Sequence, residues 1–186
     1  MVEKEHISVI RGELAKPIVL VGLMGAGKTS LGKSLAKTLN VDFIDSDDVI
    51  IAKDGRNIAE MFARSGEGYF RDLERQVLTE LSKTKRYCVL GTGGGAFINE
   101  ETRQVILTHA TSVFLKADIE VLKKRVGSGE GRPLFREKNV EEVLKTLIQE
   151  RYPIYNQAAL TVETHDERKQ ETLNRLISAL YIHLKP

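Results

Sequence analysis

The 186-residue chain is short of several things, and each shortage removes a class of function. It has one cysteine, Cys88, so no internal disulfide can form. That thiol sits in the apolar run "YCVLG", where a buried strand cysteine is the plain reading and a nucleophile is not. No apolar run approaches the ~20 residues that a bilayer span requires, so a membrane protein is not expected. Residues 1–16, "MVEKEHISVIRGELAK", mix acids and bases without a continuous apolar segment. They match neither a secretory signal nor an acid-poor transit peptide, and the expected compartment is the cytoplasm. There is little excess charge of either sign: 28 basic and 26 acidic residues, interspersed, leave +2, which is no footprint for nucleic acid. No repeat, low-complexity tract or Pro-rich linker marks a boundary. With 41% hydrophobic residues, one substantial core is expected.

What the chain does have begins with "GLMGAGKT" at residues 22–29, a match to G-x-x-x-x-G-K-[ST] preceded by four apolar residues, Ile18 to Val21. Strand, Gly-rich turn and helix start make a phosphate cradle. Backbone N–H groups of the turn converge on an anion, Lys28 reaches the outer phosphates and Thr29 offers a hydroxyl to Mg²⁺. Strand-like runs recur at 17–21, 41–44, 87–91, 111–115 and 159–163, with helical patterns between them. Such alternation predicts an α/β protein with a parallel sheet and helices on both faces. Helices are expected at 29–40, with Leu31, Leu35 and Leu39 on one stripe, at 57–66 from an Asn57 cap to a Gly66 stop, and at 67–83. Others are expected near 100–109, 118–126, 140–157 and 167–183. The stretch 127–139, "GSGEGRPLFREKN", buries little apolar surface and reads as a mobile loop.

The chemistry-bearing side chains fall where the strands end. Asp45 and Asp47 follow the second strand, at the edge where open α/β sheets bind ligands. Each carboxylate suits either Mg²⁺ or an acceptor hydroxyl, and Asp45, Ser46 or Asp47 equally suits the N-cap of the next helix. After the third strand come Gly93, Gly94 and Gly95. Three glycines in a row cost entropy, so something is expected to approach that backbone closely. Arg71 lies three residues before Glu74, a spacing that holds a guanidinium in place. Arg151 falls in line with the apolar stripe Leu144, Leu147, Ile148, Ile154 and Tyr155, and an inward guanidinium needs an anion, best a carboxylate.

This constellation resembles the shikimate kinases from Pro17 to the C-terminal helix. The motifs are "GLMGAGKT", "DSD" at 45–47, "FRDLE" at 70–74, "GGG" at 93–95, "GRPLF" at 131–135 and "ERYPIY" at 150–155. The resemblance implies a three-layer P-loop fold of the nucleoside-monophosphate-kinase type, with a central five-stranded parallel sheet flanked by helices and a mobile lid at about 127–139. One domain would span 17–186, behind an extension, 1–16, to which the family pattern assigns no role. The implied reaction moves the γ-phosphate of ATP, with Mg²⁺, to the 3-hydroxyl of shikimate in aromatic amino-acid biosynthesis. The implied enzyme is a monomer with a small-molecule substrate and no nucleic-acid or membrane partner.

Position by position, the resemblance puts phosphates on Gly25, Ala26, Gly27, Lys28, Thr29 and Ser30, and the metal on Thr29 and, through water, on Asp45. Asp47 would bind the ring hydroxyls and accept the proton of the attacking one. Arg71, Arg151, Gly93, Gly94 and Gly95 would hold shikimate, the arginines on its carboxylate. Arg132 would swing in with the lid to neutralise the transferring phosphoryl, Arg125 would stack on adenine, and the turn from His165 to Arg168 would close the other side of the base. Two rivals share parts of the pattern. A gluconate-type kinase would leave the D-x-D, the triple-Gly turn and "ERYPIY" unexplained. A nucleotide switch or ATPase is disfavoured because the chain has no N-K-x-D and no Asp followed three positions later by Gly.

Overall fold

All five expected strands form: β1 (Ile18–Val21), β2 (Asp42–Asp45), β3 (Cys88–Gly91), β4 (Thr111–Ala117) and β5 (Leu160–Thr164). The computed structural model describes residues 4–83, 87–127 and 139–185. Every strand pair is parallel and the order is β2-β3-β1-β4-β5. β1 and β3 are buried along their whole length, which is why they read as unbroken apolar runs rather than as alternation. β2 lies at the sheet's edge and is only partly buried.

Eight helices flank the sheet among the described residues: α1 (Lys4–Glu13), α2 (Lys28–Leu39), α3 (Ser46–Asp54), α4 (Ile58–Ser82), α5 (Glu100–His109), α6 (Ile119–Val126), α7 (Val140–Tyr155) and α8 (Lys169–Leu184). Their ends follow local chemistry. Asn57 and Glu60 close a reciprocal capping box at the start of α4, and the Asn99 side chain caps α5. α2 stops at Asn40, which takes the left-handed conformation at φ 55°. The helices expected at 57–66 and 67–83 are both present, but they run as one element with a break at Gly66, whose φ of 80° and ψ of 172° suit glycine alone. No helix among the described residues is long and apolar enough to cross a membrane.

The sequence pattern does not announce α1. Its Ile10, fully buried, and the nearby Leu14 join the same core as β1, α2 and α8. His6 stacks on Tyr181 of α8 at 4.0 Å. Arg11 donates to the carbonyls of Leu39 and Thr38, both at 2.9 Å, and so puts a cation on the negative end of α2. Most of the expected lid, 127–139, lies outside the described residues, Arg132 included.

Sheet order positions the site. Leu20 pairs with Gly91, and Asp45 pairs with the same Gly91 on the other side. The loop after β1, the turn after β3 and the acids after β2 therefore emerge side by side at the carboxyl edge of the sheet.

Candidate active site

The loop after β1 is built for close approach. Gly22 has φ 140°, and a Cβ there would meet the Leu115 carbonyl oxygen at 2.8 Å. Gly27, at φ 99°, is the N-cap of α2; it supplies no side-chain cap, and the first turn carries no acid. The positive pole of α2 and its first N–H groups are thus left for an anion. The Ala26 methyl is buried beneath the loop while its N–H donates to Leu23. Lys28 folds back over the loop, its Nζ donating to the carbonyls of Gly22 at 2.8 Å and Leu23 at 2.9 Å.

Asp45 and Asp47 divide the alternatives between them. Asp45 is the N-cap of α3, its Oδ1 accepting the Asp47 N–H at 3.2 Å, and its Oδ2 accepts the Thr29 hydroxyl at 3.3 Å. The Asp47 carboxylate takes no part in the capping, and its Oδ1 is buried with no hydrogen-bond donor among the described residues. Burial pushes the Asp47 carboxyl up from its ordinary range, the neighbouring Asp45 adds to this, and Lys28 opposes it.

Glu74, fully buried, faces Asp47 across Gly93. A Cβ on Gly93 would stand 3.2 Å from Asp47 Oδ1 and 3.3 Å from Glu74 Oε1. Oε2 of Glu74 holds Arg71 Nη1 at 2.7 Å, the expected i,i+3 pair, while Oε1 has no donor among the described residues. Burial raises the Glu74 carboxyl although Arg71 pulls the other way. The close approach expected at the glycine turn is made by the protein's own arginine: a Cβ on Gly95 would lie 2.6 Å from both terminal nitrogens of Arg71. Arg151 reaches the same turn from α7, donating through Nη1 to the Gly94 carbonyl at 3.3 Å.

A cavity of about 540 Å³ joins the loop after β1, the two aspartates and the first part of the glycine turn, a volume suited to small-molecule ligands, while Arg71, Glu74, Gly95 and Arg151 stand outside its lining. Gly25, Gly27, Lys28, Thr29 and Ser30 line one side, and Asp45, Asp47, Gly93 and Gly94 the other, with Arg125 at the rim. Arg125 Nη2 donates to the His165 carbonyl at 2.9 Å, and Nη1 lies 3.4 Å from the carbonyls of Gly25 and Ala26, so the guanidinium bridges the loop and the β5–α8 turn. Arg168 is not brought in. Its side chain is 88% exposed and pairs with Glu171 in the first turn of α8. Met24 and Thr92 also line the cavity, and neither stood out in the sequence, because one reads as loop filler and the other as a strand end. Glu74 was legible only as a partner for Arg71; its approach to Asp47 spans two elements.

No group of three or more His, Cys, Asp or Glu side chains among the described residues could hold a metal by itself. One hydroxyl and one carboxylate, Thr29 and Asp45, still fit Mg²⁺, which keeps waters and binds through one or two protein oxygens plus phosphates.

The family model described as shikimate kinase matches residues 24–181. A shikimate kinase from Caulobacter vibrioides is 48% identical over 166 residues, covering 89% of this chain and 82% of its own length. One from Cereibacter sphaeroides is 46% identical over 171 residues, covering 92% and 85%. The solved structure of a shikimate kinase from Acinetobacter baumannii in complex with shikimate superposes with a TM-score of 0.86 at 34% identity, covering 96% of this chain and 99% of that one.

Proposed function

The chain belongs to the shikimate kinase family, and on that premise we propose that it transfers the γ-phosphate of ATP to the 3-hydroxyl of shikimate, giving shikimate 3-phosphate and ADP in aromatic amino-acid biosynthesis. The observation that carries the assignment to these residues is a cavity with an anion-binding loop on one wall and Asp47 with the start of the glycine turn on the other, a turn that Arg71 and Arg151 approach from behind that wall. A polyphosphate and a carboxylate-bearing alcohol are the two ligands such walls complement.

Lys28 and the amides of residues 25–30 hold the phosphates. Thr29 and, through water, Asp45 would hold Mg²⁺, which when bound would supply charge neutralisation at the phosphate oxygens. Arg71 and Arg151 clamp the shikimate carboxylate bidentately, and the turn at 93–95 supports the ring. The 3-hydroxyl oxygen then forms a bond to the γ-phosphorus, the bond from that phosphorus to the bridging β-oxygen breaks, and the hydroxyl proton passes to Asp47 Oδ1, the buried oxygen that no donor meets among the described residues. Arg132 meets the charge of the transferring phosphoryl and Arg125 the adenine face. The chemistry resides in 17–186, and the working form is a cytoplasmic monomer.

The test is ADP release from purified protein and MgATP with shikimate, gluconate and AMP in parallel, alongside sedimentation to read the oligomeric state. Release dependent on shikimate alone is expected. Release with gluconate or AMP, or without any acceptor, overturns the assignment.

A further inference from the structure

The three carbonyls of the glycine turn are satisfied in two different ways. That of Gly93 accepts the Ala96 N–H at 3.2 Å, and that of Gly95 accepts those of Ile98 at 3.0 Å and Asn99 at 3.3 Å, all within the turn itself. The Gly94 carbonyl instead turns toward α7. It accepts the Tyr155 hydroxyl at 2.5 Å as well as Arg151 Nη1 at 3.3 Å. Tyr155 is the last residue of α7, fully buried, its ring stacked 5.1 Å from Phe114 and 6.4 Å from Phe97. Four residues apart on one helix, Arg151 and Tyr155 share a face and converge on one oxygen.

We propose that Tyr155 is a positioning residue for shikimate, its hydroxyl acting through the Gly94 carbonyl to set both the orientation of the glycine turn and the resting place of Arg151. Two physical arguments lead there. A trans peptide is planar, with C=O and the next N–H antiparallel, so holding the Gly94 carbonyl toward α7 aims the Gly95 N–H away from it. The carbonyl also competes for Arg151. With the tyrosine hydroxyl at 2.5 Å as its principal donor, it takes only a long bond from the guanidinium, which stays available to an incoming carboxylate. Without that hydroxyl the carbonyl draws the guanidinium in, because an unmet acceptor is costlier than a shared donor. Burial pushes the Tyr155 hydroxyl up to about 12, so it stays protonated, and a donor, throughout the neutral range.

The inference rests on the reading that Arg151 and the turn at 93–95 hold shikimate. Tyr155→Phe keeps the ring and its stacking and deletes one oxygen. The expected result is a shikimate KM raised about fivefold or more, with kcat and the ATP KM each within about twofold. In an Arg151→Lys background the same change adds less than about twofold, because the two residues act as one unit. In ligand-free protein the ¹H–¹⁵N spectrum should show the Gly95 amide displaced at an unchanged melting temperature, a readout independent of turnover. Parallel losses for both substrates, full multiplication in the double variant, or an unmoved Gly95 amide overturn the inference. Wild-type protein that turns over another acceptor and not shikimate overturns the functional reading and this inference together. Wild-type activity on shikimate with an unaffected phenylalanine variant overturns the inference alone.

Discussion

Lys28 and Arg71 show how single side chains here serve chemistry rather than the core. The Lys28 ammonium folds over loop carbonyls, not into the hydrophobic cluster, so Lys28→Met should abolish phosphoryl transfer while thermal melting stays within about 3 °C, less than ~1 kcal/mol. A folded variant with near-normal turnover would contradict the phosphate-cradle role. Gly95 supplies a sharper case. A methyl there falls 2.6 Å from the end of the Arg71 side chain, a group that can swing aside without disturbing backbone. Gly95→Ala should therefore leave the fold intact and displace Arg71 from its place beside Glu74. The shikimate KM should rise about tenfold or more, an effect of ~1.4 kcal/mol, with the ATP KM unmoved. Equal effects on the two substrates would place Arg71 outside the carboxylate clamp.

Among the elements, the α3–α4 corner is tied by a clasp of charged and hydroxyl side chains. The Asp54 carboxylate at the end of α3 accepts Arg56 Nε at 2.5 Å, Arg56 Nη2 at 2.7 Å and the Tyr69 hydroxyl at 2.5 Å, and Arg56 Nη1 donates to Ser65 at 3.0 Å. Ser65 and Tyr69 flank the break at Gly66, so the clasp fixes the angle at which α4 continues toward Arg71 and Glu74. The hydrogen bonds from Arg56 and Tyr69 hold the Asp54 carboxyl down to about 2. A carboxyl depressed in the folded state adds stability that is complete above its ordinary range and is lost as pH falls toward the folded value. The melting temperature of wild type should thus exceed that of Asp54→Asn by a constant margin above about pH 5, and the margin should close between about pH 4 and 2. A margin that does not change with pH would mean that the clasp works through shape rather than charge.

At the scale of the whole molecule, α1 belongs to the core although no residue of it lines the cavity. Ile10 is fully buried, and truncation of a buried isoleucine costs about 2–5 kcal/mol. Ile10→Ala should lower unfolding free energy by that amount in urea titration, with turnover per folded molecule unchanged. An unchanged unfolding midpoint would show that α1 docks without contributing to stability. The same packing accounts for residues 4–16: Ile7, Ile10 and Leu14 pack with the core, Arg11 donates to the last carbonyls of α2, and Lys16 donates to the Thr108 carbonyl in the last turn of α5 at 2.9 Å.

What the sequence determined by itself is whatever depends on near neighbours along the chain. The phosphate loop is contiguous backbone, the cap at Asn57 and the break at Gly66 are chemistry within a turn, and the Arg71–Glu74 pair follows from helical spacing. Only the tertiary structure could divide the tasks of Asp45 and Asp47, since either suits the cap until Thr29 is brought beside one of them from 16 residues away. It also decided that Arg71 is what crowds Gly95, that Glu74 faces Asp47 across Gly93, that Arg168 points outward, and that the Gly94 carbonyl gathers two side chains from 57 and 61 residues further on. The physical reason is one of range. Hydrogen-bond spacing and backbone sterics act within a few residues, whereas these contacts exist only because the crossovers place β3 between β2 and β1 and lay α7 against the turn that follows it.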